Sequence, residues 1–259
     1  MKRTDIVMTE ELKSFLAFDL GHMKEDAFPN KRTDIPYCDD PELLMDIYYP
    51  EEKKDTYPVF LIVFGGGWIS GFRRSRFVEY MLKPLQMGYA CAVAQYTLSL
   101  DDTFPRPVID LKKAVNYLHT HAQELLLDTD NLTLWGESAG GHLALETALL
   151  PNERLGLTGL NTEVKNLVIF YPTTDCDTID RYAETEKDRH LRPDSVMGIF
   201  LSSGLNDPQT LDLASPAHWI HPGMPRLWLQ HGTADRLVTP HQSVELAEKM
   251  RRECPDVPF

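Results

Sequence analysis

Ser138 is the residue whose neighbours best prepare it for chemistry. It stands in the frame Gly136-Glu137-Ser138-Ala139-Gly140, after the apolar run Leu132–Trp135 and before a stretch rich in alanine and leucine. Glycines on both sides allow a strand to turn directly into a helix without a side-chain collision. The serine hydroxyl then projects from the turn beside a helix N-terminus, where developing negative charge is favoured. The pattern predicts a nucleophile elbow, with an ordinary glycine-rich turn as the alternative.

A second glycine-rich stretch follows a buried strand. Pro58–Phe64 is apolar without alternation, which predicts a central parallel strand covered on both faces. It runs directly into Gly65-Gly66-Gly67-Trp68. Successive amides without side chains can converge on one point, so the triplet predicts an oxyanion site. A flexible loop is the alternative interpretation.

The elements that must position these residues alternate between strands and helices. An early strand, parallel or antiparallel, is predicted at Met45–Tyr49, and later buried strands are predicted at Tyr89–Ala94, Val164–Tyr171 and Met224–Gln230. From Pro107 the apolar residues recur at gaps of three and four up to Leu125, which predicts an amphipathic helix. A closing helix is predicted over Pro240–Cys254, with Val244, Ala247 and Met250 inward. This alternation favours an α/β fold with a doubly wound, mostly parallel sheet.

The chain divides into two unequal parts. We expect residues 1–45 to form an N-terminal arm or helix and the first strand region, with an amphipathic patch at Leu12, Phe15, Leu16 and Phe18. Residues 46–259 form the main domain. Within it, the irregular stretch at about 173–215 is predicted to be a cap-like insertion, with a short helix at Ser195–Leu201; solvated loops are the alternative.

Composition excludes several classes of partner. The 259 residues carry 26 Lys and Arg against 39 Asp and Glu, so the net charge of −13 disfavours nucleic acid and anionic membranes. No stretch has the pattern of a signal peptide or a membrane span, and four separated cysteines show no metal-binding spacing. We expect a cytoplasmic protein without metal or other cofactor.

Three separated stretches together resemble one family. They are Phe64-Gly65-Gly66-Gly67-Trp68 with Tyr96, Gly136-Glu137-Ser138-Ala139-Gly140-Gly141-His142-Leu143-Ala144, and His231-Gly232-Thr233-Ala234-Asp235. The chain resembles the α/β-hydrolase fold, in particular small carboxylesterases related to hormone-sensitive lipase and to acetyl- and feruloyl-esterase-like carbohydrate esterases. The resemblance extends from about residue 57 to the end and implies a mostly parallel sheet flanked by helices, whose last strand is missing from this sequence.

Site residues follow from that resemblance position by position. It implies that Ser138 is the nucleophile and Asp235 the acid of a catalytic triad. The oxyanion hole is implied at Gly66, Gly67 and Ala139. Trp68 and Tyr96 are candidate residues of the substrate pocket, and packing in the core is the alternative for both.

Two departures from the family pattern stand out. Phe64 occupies the position before the glycine triplet, where these families usually have histidine. The fold's order is serine, acid, histidine, and the histidine that should follow the acid by roughly thirty residues is not in this sequence, because only 24 residues follow Asp235. We expect His142 to pack in the elbow helix, His231 to hydrogen-bond the local turn and His241 to begin the closing helix. His218 and His221 are also expected to have structural roles. Either the sequence is cut short or the base comes from elsewhere.

The leading hypothesis is a serine esterase that cleaves small carboxylic esters, such as acetyl or feruloyl esters of carbohydrates, through an acyl-enzyme. A truncated or catalytically inactive hydrolase-fold protein with a binding role is the first alternative. An amidase, arylformamidase or peptidase of the same fold is the second. The expected partner is a small-molecule ester, and self-association through an open sheet edge is also considered.

Overall fold

One seven-stranded sheet organises the part of the chain that the structure describes. The structure is a computed structural model that describes residues 3, 6–183, 185 and 189–259. The strands are β1 (Lys31–Pro36), β2 (Leu44–Tyr48), β3 (Tyr57–Val63), β4 (Ala90–Ala94), β5 (Leu127–Glu137), β6 (Asn166–Phe170) and β7 (Arg226–Gln230). The strands predicted at β2 to β7 are confirmed, within five residues at their ends, whereas β1 lies in the N-terminal region, where no strand was placed at a definite position.

The strand order explains how the predicted site residues come together. The order is β1-β2-β4-β3-β5-β6-β7; β2 is antiparallel to both of its neighbours, β1 and β4, and the pairs from β4 to β7 are parallel. Glu137 is in register with Phe170, and Phe170 with Gln230. Parallel strands end at one edge of the sheet, so Ser138, Tyr171 and His231 follow one another along that edge.

The helices are α1 (Glu10–Leu16), α2 (Arg76–Glu79), α3 (Arg106–Thr120), α4 (Ala139–Leu149), α5 (Val196–Leu201), α6 (Pro208–Leu213) and α7 (His241–Glu253). Helix α3 ends five residues earlier than its apolar period predicts, since Leu125 is buried in the turn that leads into β5. Among the described residues, none of the helices has both the length and the apolar character needed to cross a membrane.

Helices α3 and α4 are joined by a buried lysine. Lys112 Nζ donates to the carbonyl oxygens of Thr147 and Leu150 at 2.9 and 2.7 Å. These carbonyls belong to the end of α4, where no following turn can satisfy them. Burial lowers the pKa of Lys112 to about 8. The lysine thus holds the far end of the helix whose N-terminus carries the elbow.

The predicted inward face of α7 is wrong at one position. Val244 is 49% exposed, whereas Gln242, Leu246 and Met250 are buried. The Gln242 side chain accepts hydrogen bonds from the amides of Thr174 and Asp175, which sets the rotation of the helix. After α7, the Pro258 carbonyl accepts a hydrogen bond from the Leu227 amide of β7. The residues after α7 thus return to the side of β7.

The N-terminal segment lies against the elements around the site. Leu12 of α1 packs with Ile69 and Ile199 in a small apolar cluster. The Arg3 side chain donates to the carbonyl of Ile199 and to Ser202 Oγ, at 2.8 and 2.9 Å. Residues 1, 2, 4 and 5 of the predicted arm, and residues 184 and 186–188 of the predicted insertion, lie outside the described part of the chain.

Candidate active site

Ser138 has the backbone conformation that a nucleophile elbow requires. Its φ of 51° and ψ of −126° lie outside the regions that serine ordinarily adopts, and its amide donates to the Phe170 carbonyl at 2.9 Å. A Cβ at Gly136 would lie 2.3 Å from the Gly140 carbonyl oxygen, and one at Gly140 would lie 2.2 Å from that of Val63. Only glycine fits at either position, which is the reason the sequence pattern predicted this turn.

Gly65, Gly66, Gly67 and Trp68 form a tight loop beside Ser138, which we call the oxyanion loop after its predicted role. Gly66 has a φ of +128°, and a Cβ there would lie 2.2 Å from the Ser70 carbonyl oxygen. The amides of Ile69 and Ser70 both donate to the Gly66 carbonyl, which folds the loop back on itself. The amides of Gly66, Gly67 and Ala139 have no acceptor within the described chain, and all three residues line the cavity that contains Ser138. These amides are therefore available for an oxyanion.

Phe64 braces this loop by aromatic stacking. Its ring lies 4.5 Å from that of Tyr96, nearly parallel, and it fills the space beside Gly71. The Tyr96 hydroxyl donates to the Phe64 carbonyl at 2.8 Å. Tyr96 is almost fully buried and is not among the residues lining the cavity, so the structure corrects its placement in the pocket. The stack occupies the place where the resemblance led us to expect a bracing histidine.

Trp68 ends the loop and is bonded to the elbow helix. Its Nε1 donates to His142 Nδ1 at 3.2 Å, and its ring stacks on Phe200. His142 Nε2 is 2.9 Å from the Ala214 carbonyl, so Nε2 carries the proton and donates while Nδ1 accepts. Burial lowers the pKa of His142 to about 4. Both ring nitrogens are occupied, so His142 is a structural residue, as predicted.

A cavity of about 690 Å³ opens above Ser138. Trp68 lines it, as predicted, together with Gly66, Gly67 and Ala139. Helix α1 contributes Leu12, Ser14 and Phe15, and the predicted insertion contributes Arg189, His190, Arg192, Asp194, Ser195 and Val196. A Cβ at Gly67 would lie 2.9 Å from the Phe15 ring and 3.4 Å from Val196 Cβ, so both segments reach the oxyanion loop. Part of the predicted insertion thus covers the site.

Asp235 lies in the turn after β7. Its Oδ1 accepts from the amides of Leu237 and Val238, at 2.8 and 3.0 Å, and its Oδ2 is 3.4 Å from His231 Nε2. Neighbouring strands lie about 4.8 Å apart, so the main chains of β5 and β7 are roughly 10 Å apart. Arg236, Leu237 and Val238 line the cavity, but Asp235 does not. Asp235 is thus on the edge of the sheet that carries Ser138, without direct contact with it.

Three of the histidines considered above, His231, His241 and His218, make contacts away from the cavity. His231 bonds Ser243 Oγ and the Val238 carbonyl, which confirms the predicted contact with the local turn. His241 begins α7, as predicted, and stacks on Tyr182. His218 is paired with Asp175 and Asp212. His190 lines the cavity together with Ser138.

Sequence reasoning missed His190 because it lies in an irregular segment without a motif. Its amide donates to Asp180 Oδ1 at 2.5 Å, and its carbonyl accepts from Ser195 Oγ. Ser195 in turn caps α5, whose first residue, Val196, adjoins Gly67. This chain of contacts places the His190 main chain beside the oxyanion loop.

Glu137, immediately before Ser138, is a second cavity residue that sequence reasoning missed. It is buried, lines the cavity, and accepts hydrogen bonds from the hydroxyls of Tyr80 and Tyr171 on one oxygen, Oε2. Burial raises the pKa of Glu137, while the hydrogen bond from Tyr171 acts in the opposite direction. The position of Glu137 beside Ser138 could have indicated a place in the site. Its hydrogen bonds could not be predicted, because Tyr80 and Tyr171 are distant in sequence.

The described residues contain no group of three or more His, Cys, Asp or Glu arranged to hold a metal ion. All four cysteines are free thiols, and Cys91, Cys176 and Cys254 are buried. The cavity itself offers a strained serine, amides without an acceptor beside it and a partly apolar wall.

Comparisons with known proteins agree with this geometry. A family model described as BD-FAE matches residues 45–250. Esterase LipQ of Mycobacterium tuberculosis is 26% identical over 225 residues, which are 85% of this chain and 52% of that protein. The chain spans about half the length of the curated relatives it matches first.

Solved structures give the same fold. A bifunctional GH43-CE protein of Bacteroides eggerthii superposes with a TM-score of 0.75 at 23% identity, over 86% of this chain and 33% of that one. A thermophilic esterase of Thermogutta terrifontis, solved with butyrate bound, has a TM-score of 0.67 at 25% identity. That match covers 90% of this chain and 84% of the esterase chain. The α/β-hydrolase fold predicted from the sequence is confirmed.

Proposed function

Because this chain belongs to the BD-FAE family, we propose that it is the esterase part of a serine hydrolase, cleaving small carboxylic esters through an acyl-enzyme at Ser138. The observation that carries the proposal is the strained Ser138 beside three amides without an acceptor, inside one cavity. Relatives named as esterases support the same reaction. Acetyl and feruloyl esters of carbohydrates belong to the same proposal.

In the proposed mechanism, Ser138 Oγ attacks the ester carbonyl and loses its proton to a base. The negative charge that develops on the carbonyl oxygen is taken up by the amides of Gly66, Gly67 and Ala139. Each such donor is worth about 3 to 4 kcal/mol of transition-state stabilisation. The alcohol leaves, and water then releases the acid from the serine. Asp235 is retained as the proposed acid, with its carboxylate held by two amides of its own turn.

We propose His190 as the base within this chain. It lines the same cavity as Ser138, and its segment is held beside the oxyanion loop by contacts with Asp180 and Ser195. An imidazole can accept the serine proton at neutral pH, because its ordinary pKa is near 6.5. Asp180, which bonds the amides of His190 and Leu191, would fix this segment over the cavity.

The first test is hydrolysis of p-nitrophenyl acetate and butyrate by the 259-residue chain beside its Ser138→Ala variant. We expect turnover to fall by at least about a thousandfold, since Ser138 is the only serine of the described cavity wall that has the elbow conformation. Ser70→Ala, another serine of the cavity wall, is the matched control. Turnover that persists in Ser138→Ala contradicts the proposal, and a folded chain without any turnover contradicts it and favours a binding protein of this fold.

A second test separates the base from the nucleophile. His190→Gln should lower kcat by about a hundredfold or more with little change in KM, since the imidazole acts only when the proton moves. His221→Gln, in the loop before β7, is the control. Turnover that depends on Ser138 but is unchanged in His190→Gln contradicts the assignment of the base and leaves the esterase proposal intact.

A further inference from the structure

Glu137 presents one oxygen to the cavity. Oε2 accepts from the hydroxyls of Tyr80 and Tyr171, whereas Oε1 has no partner among the described residues. Oε1 is also absent from the buried side-chain atoms that are sealed without a partner. Glu137 is 9% exposed and lines the cavity, so the remaining access to Oε1 is from that cavity.

The phenols of Tyr80 and Tyr171 favour the ionised form of the Glu137 carboxyl group, which can only accept hydrogen bonds. A hydroxyl pair that donates to a single oxygen matches an ionised carboxylate, which can only accept. Burial and the neighbouring Glu137 raise the pKa of Tyr171, so its phenol keeps its proton and remains a donor at neutral pH. The unpartnered Oε1 therefore offers a strong acceptor to whatever occupies the cavity.

This acceptor lies close to the reacting centre. A Cβ built at Gly65 would be 3.4 Å from Ser138 Cβ and 3.5 Å from Glu137 Cγ, so the two side chains leave the main chain side by side against the same loop. An ester held at Ser138 would therefore have its nearest substituents within reach of Glu137. An alkyl group there would leave Oε1 without a hydrogen-bond partner, which is costly in a partly dry site.

We infer that Glu137 determines specificity by accepting a hydrogen bond from a hydroxyl group of the substrate close to the scissile ester. The inference rests on the proposed function and narrows its substrate class to hydroxylated esters. Tyr80 and Tyr171 are positioning residues, which hold the carboxylate with Oε1 toward the cavity. Discrimination of this kind is strong, because a site built for a hydroxyl disfavours the analogue that lacks it.

The test measures binding, so it does not depend on turnover. In Ser138→Ala, which leaves the ester intact, the dissociation constants of glycerol monoacetate and propyl acetate are compared by ligand-observed NMR titration. Ethyl 3-hydroxybutyrate and ethyl butyrate form a second pair, with the hydroxyl on the acyl side. We expect the hydroxylated member of at least one pair to bind about tenfold more tightly, as a hydrogen bond to a charged group predicts.

Two variants on the same background test the assigned residue. Glu137→Met removes the acceptor at similar length and should abolish the preference. Glu137→Gln keeps an oxygen that can accept from the phenols, so it tests the assignment if Glu137→Met does not fold. Its preference for the hydroxylated ester should be weakened but not abolished, because the amide is still an acceptor but carries no charge. Circular dichroism confirms that each variant is folded. A preference that survives in Glu137→Met, or that is absent with Glu137 intact, overturns the inference.

Turnover measured with the chain that retains Ser138 separates this inference from the proposed function. Tight binding of the hydroxylated ester without any turnover that depends on Ser138 contradicts the function and supports the role of Glu137. Turnover that depends on Ser138 with equal kcat/KM for both esters of each pair supports the function and overturns the role of Glu137.

Discussion

At the scale of single residues, His142 shows how a histidine near the nucleophile can be structural. It accepts from Trp68 and donates to the Ala214 carbonyl, so one neutral ring ties the oxyanion loop, the elbow helix and the segment before β7 together. A protonated ring could not accept from Trp68, and its charge would be buried. The geometry of the oxyanion loop therefore depends on His142 remaining neutral.

This dependence predicts the pH response of stability. Burial lowers the pKa of His142 to about 4, whereas a histidine in an unfolded chain titrates near 6.5. The unfolded chain then binds the proton that the folded chain excludes, so the contribution of His142 to the free energy of unfolding is complete above about pH 6.5 and falls as the pH approaches 4.

His142→Gln should flatten this pH dependence, because glutamine offers a donor and an acceptor but does not titrate. The measurement is the free energy of urea unfolding at several pH values between 4 and 7.5 for both proteins. Slopes that coincide in the acid range would contradict the assignment of His142 as the titrating group.

At the scale of elements, α1 illustrates how a short helix can be positioned by tertiary contacts. Seven residues are too few for a stable helix in water, although Thr9 caps it by accepting from the Leu12 amide. Its stability comes from packing: Leu12 lies against Ile69 and Ile199, and Phe15 lies against Gly67. Helix α1 therefore forms one wall of the cavity and supports the oxyanion loop.

Leu12→Ala should release α1 while the sheet remains folded. Leu12 is 2% exposed, and truncation of a buried leucine costs about 2 to 5 kcal/mol. Because this cost falls on a peripheral element, we expect the amides of α1 to exchange with deuterium at least about tenfold faster, with exchange in β3 to β6 unchanged. Lys13→Ala, on the exposed side of the same helix, is the control. Equal acceleration in α1 and the sheet would show that α1 does not unfold separately.

At the scale of the whole molecule, the sheet has an exposed apolar side chain on its outermost parallel strand. In the described sheet β7 has a strand on one side only, and Trp228 on it is 65% exposed. An edge strand with an exposed aromatic side chain favours pairing with another chain, although the net charge of −13 opposes close approach. Self-association of this chain should therefore depend on both concentration and salt.

Trp228→Lys should weaken that self-association, since a lysine on an edge strand disfavours pairing. Sedimentation velocity over a range of protein and salt concentrations measures it. Met87→Lys, at another exposed apolar position, changes the charge equally and serves as the control. The prediction is wrong if both variants weaken self-association to the same degree, or if the unmodified chain is monomeric throughout.

The sequence by itself determined the features that depend on local backbone demands and local periodicity. The elbow at Ser138 was predictable because only glycine fits at Gly136 and Gly140, and that requirement is visible in five consecutive residues. The parallel strands were predictable from uninterrupted apolar runs, and the start of α7 from its helical pattern. The resemblance to known enzymes led us to predict an oxyanion hole at Gly66, Gly67 and Ala139, and these three residues line one cavity with Ser138.

Only the tertiary structure decided which distant residues meet. Tyr80 and Tyr171 lie 57 and 34 positions from Glu137, and neither period nor motif connects them. Tyr96 was expected in the pocket, yet it lies behind the loop, because its hydroxyl bonds the Phe64 carbonyl. His190 reaches the cavity through contacts of an irregular segment with Asp180 and Ser195. Such contacts depend on how separate elements pack, so local sequence patterns carry no record of them.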